Sequence, residues 1–338
     1  MSTILILRLS SMGDVLLTLP VLQGISRENQ DLAMVLVTQG RFAAYFKEIR
    51  NLHIIEFDPQ NRHKGFLGLL RLYKELRRYP IEKVIDLHGV WRTYFLDLLY
   101  SIGFHRVYRI RKYRGLRRQI LKGRKGVKIP HTTKRYLEVF NRAGYYGTIQ
   151  HQPLEKRGHV KNSHDLFQIG IAPLARHSTK NWSQEHVIAL IDKLLTNYKS
   201  TIYLFGGLED QANLEAIKKP SVINIAGTLN PDKEVELIRS LDLFISMDSA
   251  NMHLAALAGV PTLSVWGATD PAFGFSALGQ PDTYSLYTSS PEAFCRPCSV
   301  YGAKPCHRTD HPMICMDLVT PGQVYRLAEE ILGQRNKI

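Results

Sequence analysis

Short runs of continuously apolar residues alternate along this chain with longer amphipathic segments. Ile4-Leu-Ile-Leu7 and Met34-Val-Leu-Val37 contain no polar position, as expected of strands covered on both faces of a parallel sheet. In the first half the pattern predicts strands at 4–9, 33–38, 53–57, 83–87 and 106–110, and helices near 14–27, 40–49, 64–79 and 90–102. The second half repeats the rhythm, with strands near 169–172, 201–205, 222–225, 242–246 and 262–266. Its helices fall near 184–197, 209–217, 232–240 and 251–258. Alternating β and α elements imply parallel sheets joined by right-handed crossovers. Two such series predict an α/β protein of two Rossmann-like domains, 1–158 and 159–338, divided in the polar stretch 148–168. A terminal helix near 321–333, after Pro321, is expected to pack back on the first domain.

Ligands of open α/β sheets sit at the carboxyl ends of the strands, so the loops after strands are where chemistry is expected. The first such turn is Arg8-Leu-Ser-Ser-Met-Gly-Asp14. It holds one glycine where a dinucleotide cradle needs three, which makes it a poor pyrophosphate site. Asp14 opens the following helix as either a capping carboxylate or a general base able to take a proton from a hydroxyl. The loop Ser246-Met-Asp-Ser-Ala-Asn-Met-His253 places Asp248 or Ser249 as a cap on a helix whose free N–H groups suit a diphosphate. His253 follows one turn further in. Strand, Asp, Ser and helix in that order is also a routine capping arrangement. The loop Ala172–Trp182 carries Arg176 and Lys180. It is either a solvated basic loop or a cover for a phosphate, with Lys180 as a point charge.

Composition narrows the class. The chain has 338 residues, 44% hydrophobic and 22% charged, close to a globular average and unlike a disordered or fibrous protein. No apolar run approaches the roughly 18 residues of a spanning helix, and Thr3–Leu9 lacks the features of a signal peptide. A soluble cytoplasmic protein is expected. The net charge is +14 and is unevenly spread: residues 1–158 hold 29 basic and 12 acidic side chains, whereas 159–338 hold 15 and 18. Such a field attracts nucleic acid, anionic lipid or an acidic substrate. Thirteen Lys/Arg lie in 106–135, among them Arg114 and Arg117, interleaved with Tyr108 and Tyr113. Contact with anionic headgroups or a phosphorylated acceptor is the preferred reading. A merely solvated surface and non-catalytic binding of nucleic acid are the alternatives, the latter with no recognised motif beside it. All four cysteines fall in one segment, Cys295, Cys298, Cys306 and Cys315. Free or transiently paired thiols are expected there, with a tetrahedral structural zinc as the weaker alternative.

Taken in order, these pieces resemble the lipopolysaccharide heptosyltransferases, glycosyltransferase family nine. Arg8-Leu-Ser-Ser-Met-Gly-Asp-Val-Leu-Leu-Thr-Leu-Pro20 is similar to the family's N-terminal signature. Asp248-Ser-Ala-Asn-Met-His253 matches its Asp-Ser/Thr-Gly-x-x-His block, Lys180-Asn-Trp182 its Lys-x-Trp, and Trp266-Gly-Ala-Thr-Asp-Pro271 its Phe/Trp-Gly-x-Thr-x-Pro. Asp86-Leu-His-Gly-Val-Trp-Arg92 is similar to its Asp-Leu-Gln-Gly segment. Two departures stand out: Ala250 replaces the usual Gly, and His88 the common Gln.

The resemblance implies a GT-B enzyme, two Rossmann-like domains with parallel sheets facing across a cleft. It implies inverting transfer of a sugar, typically heptose from ADP-heptose, to the lipopolysaccharide inner core, without a metal cofactor. Asp14 would be the base. Arg176, Lys180, Glu209, Met247, Asp248, Ser249, Ala250 and His253 would meet the donor, with Lys180 also stabilising the leaving diphosphate. Ser10, Ser11, Met12, Gly13, His88, Arg92, Arg114 and Arg117 would meet the acceptor. The enzyme would work in the cytoplasm, peripherally at the inner face of the inner membrane. Another nucleotide-sugar or another surface-glycan acceptor is the alternative within the family.

Overall fold

The computed structural model describes residues 2–150 and 166–334. The chain divides into two compact units, 1–112 with 130–150 and 113–129 with 151–338. The expected boundary at 158/159 lies outside the described residues. The division falls at 150/151, and the first unit is not one continuous stretch.

The first unit is built on a five-stranded parallel sheet in the order β3-β2-β1-β4-β5. Its strands are β1 (Ser2–Leu7), β2 (Leu32–Thr38), β3 (Leu52–Glu56), β4 (Ile81–Asp86) and β5 (Arg106–Arg109). Successive residues face opposite sides of a strand, and each side of this sheet has its own core. Ile4, Ile6, Met34 and Leu36 join one cluster, whereas Leu5, Leu7, Val35 and Val37 join the other. That double burial is why these strands read as unbroken apolar runs. Helices α1 (Met12–Leu16) and α2 (Leu19–Glu28) cover the first face. Helices α3 (Gly65–Leu76) and α4 (Trp91–Ile102) cover the second through Leu69, Leu72, Leu76 and Leu96.

The expected single helix at 14–27 is broken in two. Pro20 has no N–H to continue the ladder, and Thr18 Oγ1 turns back onto the Val15 carbonyl at 2.6 Å. The segment near 40–49 forms a 3-10 turn, Gly40–Phe46, instead of an α-helix.

Helix α5 (Arg114–Leu121) belongs to the second unit, where Ile120 and Ile129 are buried beside Met252, Trp266 and Phe273. Residues 113–129 carry seven Lys/Arg and no Asp/Glu, so the expectation that the first domain holds all of the basic excess is corrected. The chain then returns through α6 (Thr132–Arg142), whose Tyr136, Val139 and Phe140 complete the first core face.

The second unit's sheet has six parallel strands in the order β11-β10-β9-β6-β7-β8. They are β6 (Phe167–Ala172), β7 (Ser200–Leu204), β8 (Val222–Asn224), β9 (Leu243–Met247), β10 (Thr262–Val265) and a short β11 (Ser285–Leu286). The helices are α7 (Gln184–Asn197), α8 (Gln211–Glu215), α9 (Pro231–Ser240), α10 (Ala250–Leu257), α11 (Ile314–Asp317) and α12 (Pro321–Gln334). The terminal helix α12 buries Val324, Ala328, Ile331 and Leu332 in the second unit's own core, with α7 residues such as Leu190 and Leu194. It was expected to pack back on the first domain; its apolar face is instead used here.

Candidate functional site

In each sheet the strand order reverses once, and ligands of open α/β sheets bind at that switch point. In the first unit the switch lies between β1 and β4, so the loops after these strands meet there. In the second it lies between β9 and β6.

At the first switch, the β1 loop carries Ser10, Ser11, Met12, Gly13 and Asp14. Ser11 is the N-cap residue of α1 and Asp14 stands in its first turn. The Asp14 carboxylate is paired. Its Oδ2 is held by the Arg8 guanidinium at 2.5 Å and receives the Ser11 hydroxyl at 3.0 Å. Arg8 is itself buried and donates to the Leu87 carbonyl at 2.8 Å, and its guanidinium lies over the Tyr136 ring. Tyr136 in turn donates its hydroxyl to the Asp14 carbonyl at 3.2 Å. The carboxylate is therefore fixed by a cation anchored in the sheet.

The β4 loop brings His88 to the same place. Asp86, fully buried, accepts from the N–H groups of His88 and Gly89 at 2.8 Å each and from the Thr93 hydroxyl at 2.9 Å. Gly89 has φ +62, and a Cβ there would lie 2.9 Å from Lys112 Cε, so glycine lets the lysine close over the turn and donate to the Gly89 carbonyl. Burial pushes the His88 imidazole down to about 3, and the charge of Arg8 adds to that against the opposing pull of Asp14. His88 is thus a neutral ring at physiological pH. Arg92 is half-buried over the Trp91 ring, 4.6 Å from its centroid.

At the second switch, Lys180 from the β6 loop reaches Asp248 after β9. Its ammonium lies 2.8 Å from Asp248 Oδ2 and donates to the Asp248 carbonyl at 3.2 Å. Thr269, after β10, donates its hydroxyl to the same carboxylate oxygen at 2.8 Å. Asp248 is buried and serves to position Lys180 rather than to cap α10. Ser249 occupies the N-cap position, but its hydroxyl pairs with Ser246 Oγ at 3.0 Å instead of a helix N–H. Ala250 is the first residue of α10, and His253 lies buried in its second turn. Met247, the last residue of β9, has its side chain in the hydrophobic core.

Arg176 is exposed on the β6 loop. Beside it, burial and the charges of Lys180 and Arg176 lower the pKa of His177. Gly302, at φ +76, lets the Lys180 stem pass where a Cβ would stand 2.7 Å from Cε, and its carbonyl accepts from Thr179 at 2.6 Å. Glu209 is exposed in the turn after β7, the strand next to β6.

Two expected acceptor residues belong to the second unit. Arg114 is exposed at the start of α5, and Arg117 donates to the Tyr301 hydroxyl at 2.7 Å. The four cysteines are free thiols lining one small cavity with Arg308 and Met313. Burial pushes Cys315 up to about 11. Among the described residues, no group of three or more His, Cys, Asp or Glu stands where it could hold a metal ion. The roles of Arg8 and Thr269 were missed from sequence, although both lie inside the quoted motifs. His177 and Gly302 carried no signal.

Comparison with known proteins gives this geometry a family. Residues 69–301 match the model of glycosyltransferase family 9 (heptosyltransferase). The lipopolysaccharide core heptosyltransferase OpsX of Haemophilus influenzae is 23% identical over 289 residues, 79% of either chain. Among solved structures, a family 9 glycosyl transferase from Veillonella parvula superposes with a TM-score of 0.73 at 19% identity, covering 98% of both chains. The Escherichia coli heptosyltransferase WaaC, solved with ADP, superposes with 0.67 at 18% identity, covering 97% of this chain and 99% of that one. The fold is of the GT-B class, and the chain belongs to glycosyltransferase family 9, the heptosyltransferases.

Proposed function

We propose that this chain is an inverting heptosyltransferase that moves heptose from ADP-heptose to the inner core of lipopolysaccharide. The observation that carries the reading is the Lys180–Asp248–Thr269 cluster at the second switch point, beside the N-terminus of α10. A helix N-terminus with a positioned ammonium suits the diphosphate of a nucleotide-sugar. Arg176, Ser249, Ala250 and His253 border that place, and Glu209 offers a carboxylate to a ribose hydroxyl.

Asp14 is the base. As the acceptor oxygen attacks the anomeric carbon, its proton passes to the carboxylate. The carbon–oxygen bond to the diphosphate breaks on the opposite face, and ADP leaves with the electron pair, by analogy with inverting glycoside hydrolysis. Arg8 aims the carboxylate, and Lys180 meets the charge that grows on the leaving group. His88, Arg92 and the Ser10–Gly13 turn form the acceptor side. Arg114 and Arg117, which belong to the second unit, are assigned to the acceptor as well. No cofactor is needed for this step. The acceptor is a glycolipid, so the enzyme works in the cytoplasm at the inner face of the inner membrane. No helix among the described residues is long and apolar enough to cross a membrane.

The test is thermal unfolding with ADP, UDP and GDP. A ligand that binds only the folded state raises its stability by about 2.7 kcal/mol at a hundred times Kd. ADP is expected to give the largest shift. Equal or absent shifts would remove the donor assignment, and a larger shift with UDP or GDP would select the alternative nucleotide-sugar. Salt-dependent binding of oligonucleotides with no nucleotide shift would favour the nucleic-acid reading.

A further inference from the structure

We infer that the outer face of α3 and α4 is a docking surface for an anionic phospholipid bilayer. The two helices lie side by side on one face of the first sheet. Their inner residues Leu69, Leu72, Leu76 and Leu96 fill the core, yet their outer faces are also apolar. On α3, Phe66, Leu67 and Leu70 are 62%, 81% and 37% exposed; on α4, Trp91, Leu98 and Ile102 are 48%, 55% and 66% exposed. The α4 positions recur at helical spacing along one stripe, about 16 Å long at 1.5 Å per residue. Phe66 joins the helices, with its ring centroid 5.6 Å from Trp91 and 5.4 Å from Phe95. Beyond the end of α4, Phe104 stands almost wholly in solvent at 98%. Scattered exposed apolar residues are normal, but a continuous ridge of this kind marks an interaction surface.

Charge identifies the partner. Arg71, Lys74, Arg77 and Arg78 are exposed along and just after α3. The only acids in the two helices, Glu75 and Asp97, turn inward, Glu75 to Arg62 and His63 and the buried Asp97 to Arg109. Apolar and aromatic residues flanked by cations, with no outward acid, fit the headgroup layer of an anionic membrane. A face-to-face contact between two copies would bring these cations together. Place agrees with charge: α4 starts at Trp91, three residues after His88, at the strand ends that hold the candidate acceptor loops. A protein lying on this ridge would hold those loops close to a lipid-borne acceptor. This surface is distinct from the basic segment 106–135 that the sequence suggested.

The inference takes its setting from the proposed glycolipid acceptor, but its test needs neither donor nor transfer. Full-length protein is sedimented with phosphatidylcholine vesicles, with or without phosphatidylglycerol, at low and high salt. Wild type is expected to bind the anionic vesicles and to be released by salt. Leu98→Gln with Ile102→Gln should lower partitioning by at least about tenfold, since each buried apolar side chain contributes on the scale of a methylene or more. Arg71→Gln with Lys74→Gln should lower it about fivefold per charge and remove the preference for phosphatidylglycerol. All four positions are exposed and outside the candidate site, and circular dichroism with the unfolding midpoint checks that each variant folds. Wild-type-like binding by both variants would overturn the inference, as would no binding by wild type. A wild-type dimer in sedimentation equilibrium that the apolar variant makes monomeric, without vesicle binding, would also overturn it and name a second copy as occupant. Vesicle binding without an ADP shift would retain this surface and reject the donor assignment, so the two readings fail separately.

Discussion

Asp14 and Arg8 hold one another at the end of β1. Arg8 has 8% of its side chain exposed and Asp14 23%. Asp14→Asn removes one charged partner from the buried guanidinium, which is expected to cost about 1–3 kcal/mol of stability. Urea unfolding of the variant measures this, and a change near zero would mean that Arg8 is satisfied without Asp14. His88 gives a pH test at the same site. Its folded pKa is about 3, below the ordinary 6.5, so between these values the unfolded chain binds the extra proton. Its contribution is present above about 6.5 and is lost as the pH falls toward 3. His88→Gln should therefore lose less stability than wild type between pH 7 and pH 4.5, by about 1–3 kcal/mol. Equal losses would show that His88 is not held neutral. The residue types at this site were legible because they follow strands in a recognisable order. Their pairings were not: the sequence offered Asp14 as a cap or a base, and its anchoring by Arg8 depends on a strand-end geometry that spacing does not encode.

The two-residue β11 was missed. Ten other strands were legible to within about two residues, the central ones because double burial writes an uninterrupted apolar run into the chain. Helices were less so. The segment of α5 was read only as part of the basic stretch 106–135, since it is Arg-Gly-Leu-Arg-Arg-Gln-Ile-Leu and offers few apolar positions. Most of α6 lies beyond that stretch, and it was not read as an element. Ile120, 4% exposed, does the anchoring with Ile129. The Ile129 N–H also donates to the Ala272 carbonyl at 2.8 Å. Ile120→Ala should cost about 2–5 kcal/mol, the usual range for a buried isoleucine. Because the anchored segment is rich in Lys and Arg, the loss should appear first as faster tryptic cleavage within 113–129. Unchanged cleavage and stability would mean that the cluster around Trp266 does not hold this segment. The ridge on α3 and α4 was illegible for a different reason: periodicity marks an amphipathic helix, but Phe66, Leu67 and Leu98 could each have faced the core.

At the scale of the whole molecule, each unit closes hydrophobic clusters of its own, and each carries one half of the proposed chemistry. The two-unit α/β architecture was legible from the alternation of elements, whereas the crossing of 113–129 into the second unit was not, because it depends on one isoleucine pair finding a distant pocket. This division makes a crossed prediction. Asp14→Asn removes the base but leaves Lys180, Asp248 and Thr269 untouched, so transfer should fall at least about a hundredfold while the ADP-induced shift in unfolding temperature stays near the wild-type value. Lys180→Ala removes an ammonium that meets the diphosphate before and during bond breaking, so ADP affinity should fall about tenfold or more and transfer should fall with it. The shift must be taken against each variant's own ligand-free midpoint, because removing Lys180 also strips Asp248 of its buried counter-charge. Loss of the ADP shift in the Asp14 variant would mean that the donor is not held by the second unit's cluster alone. Retention of both shift and rate in the Lys180 variant would return the β6 loop to a solvated basic segment.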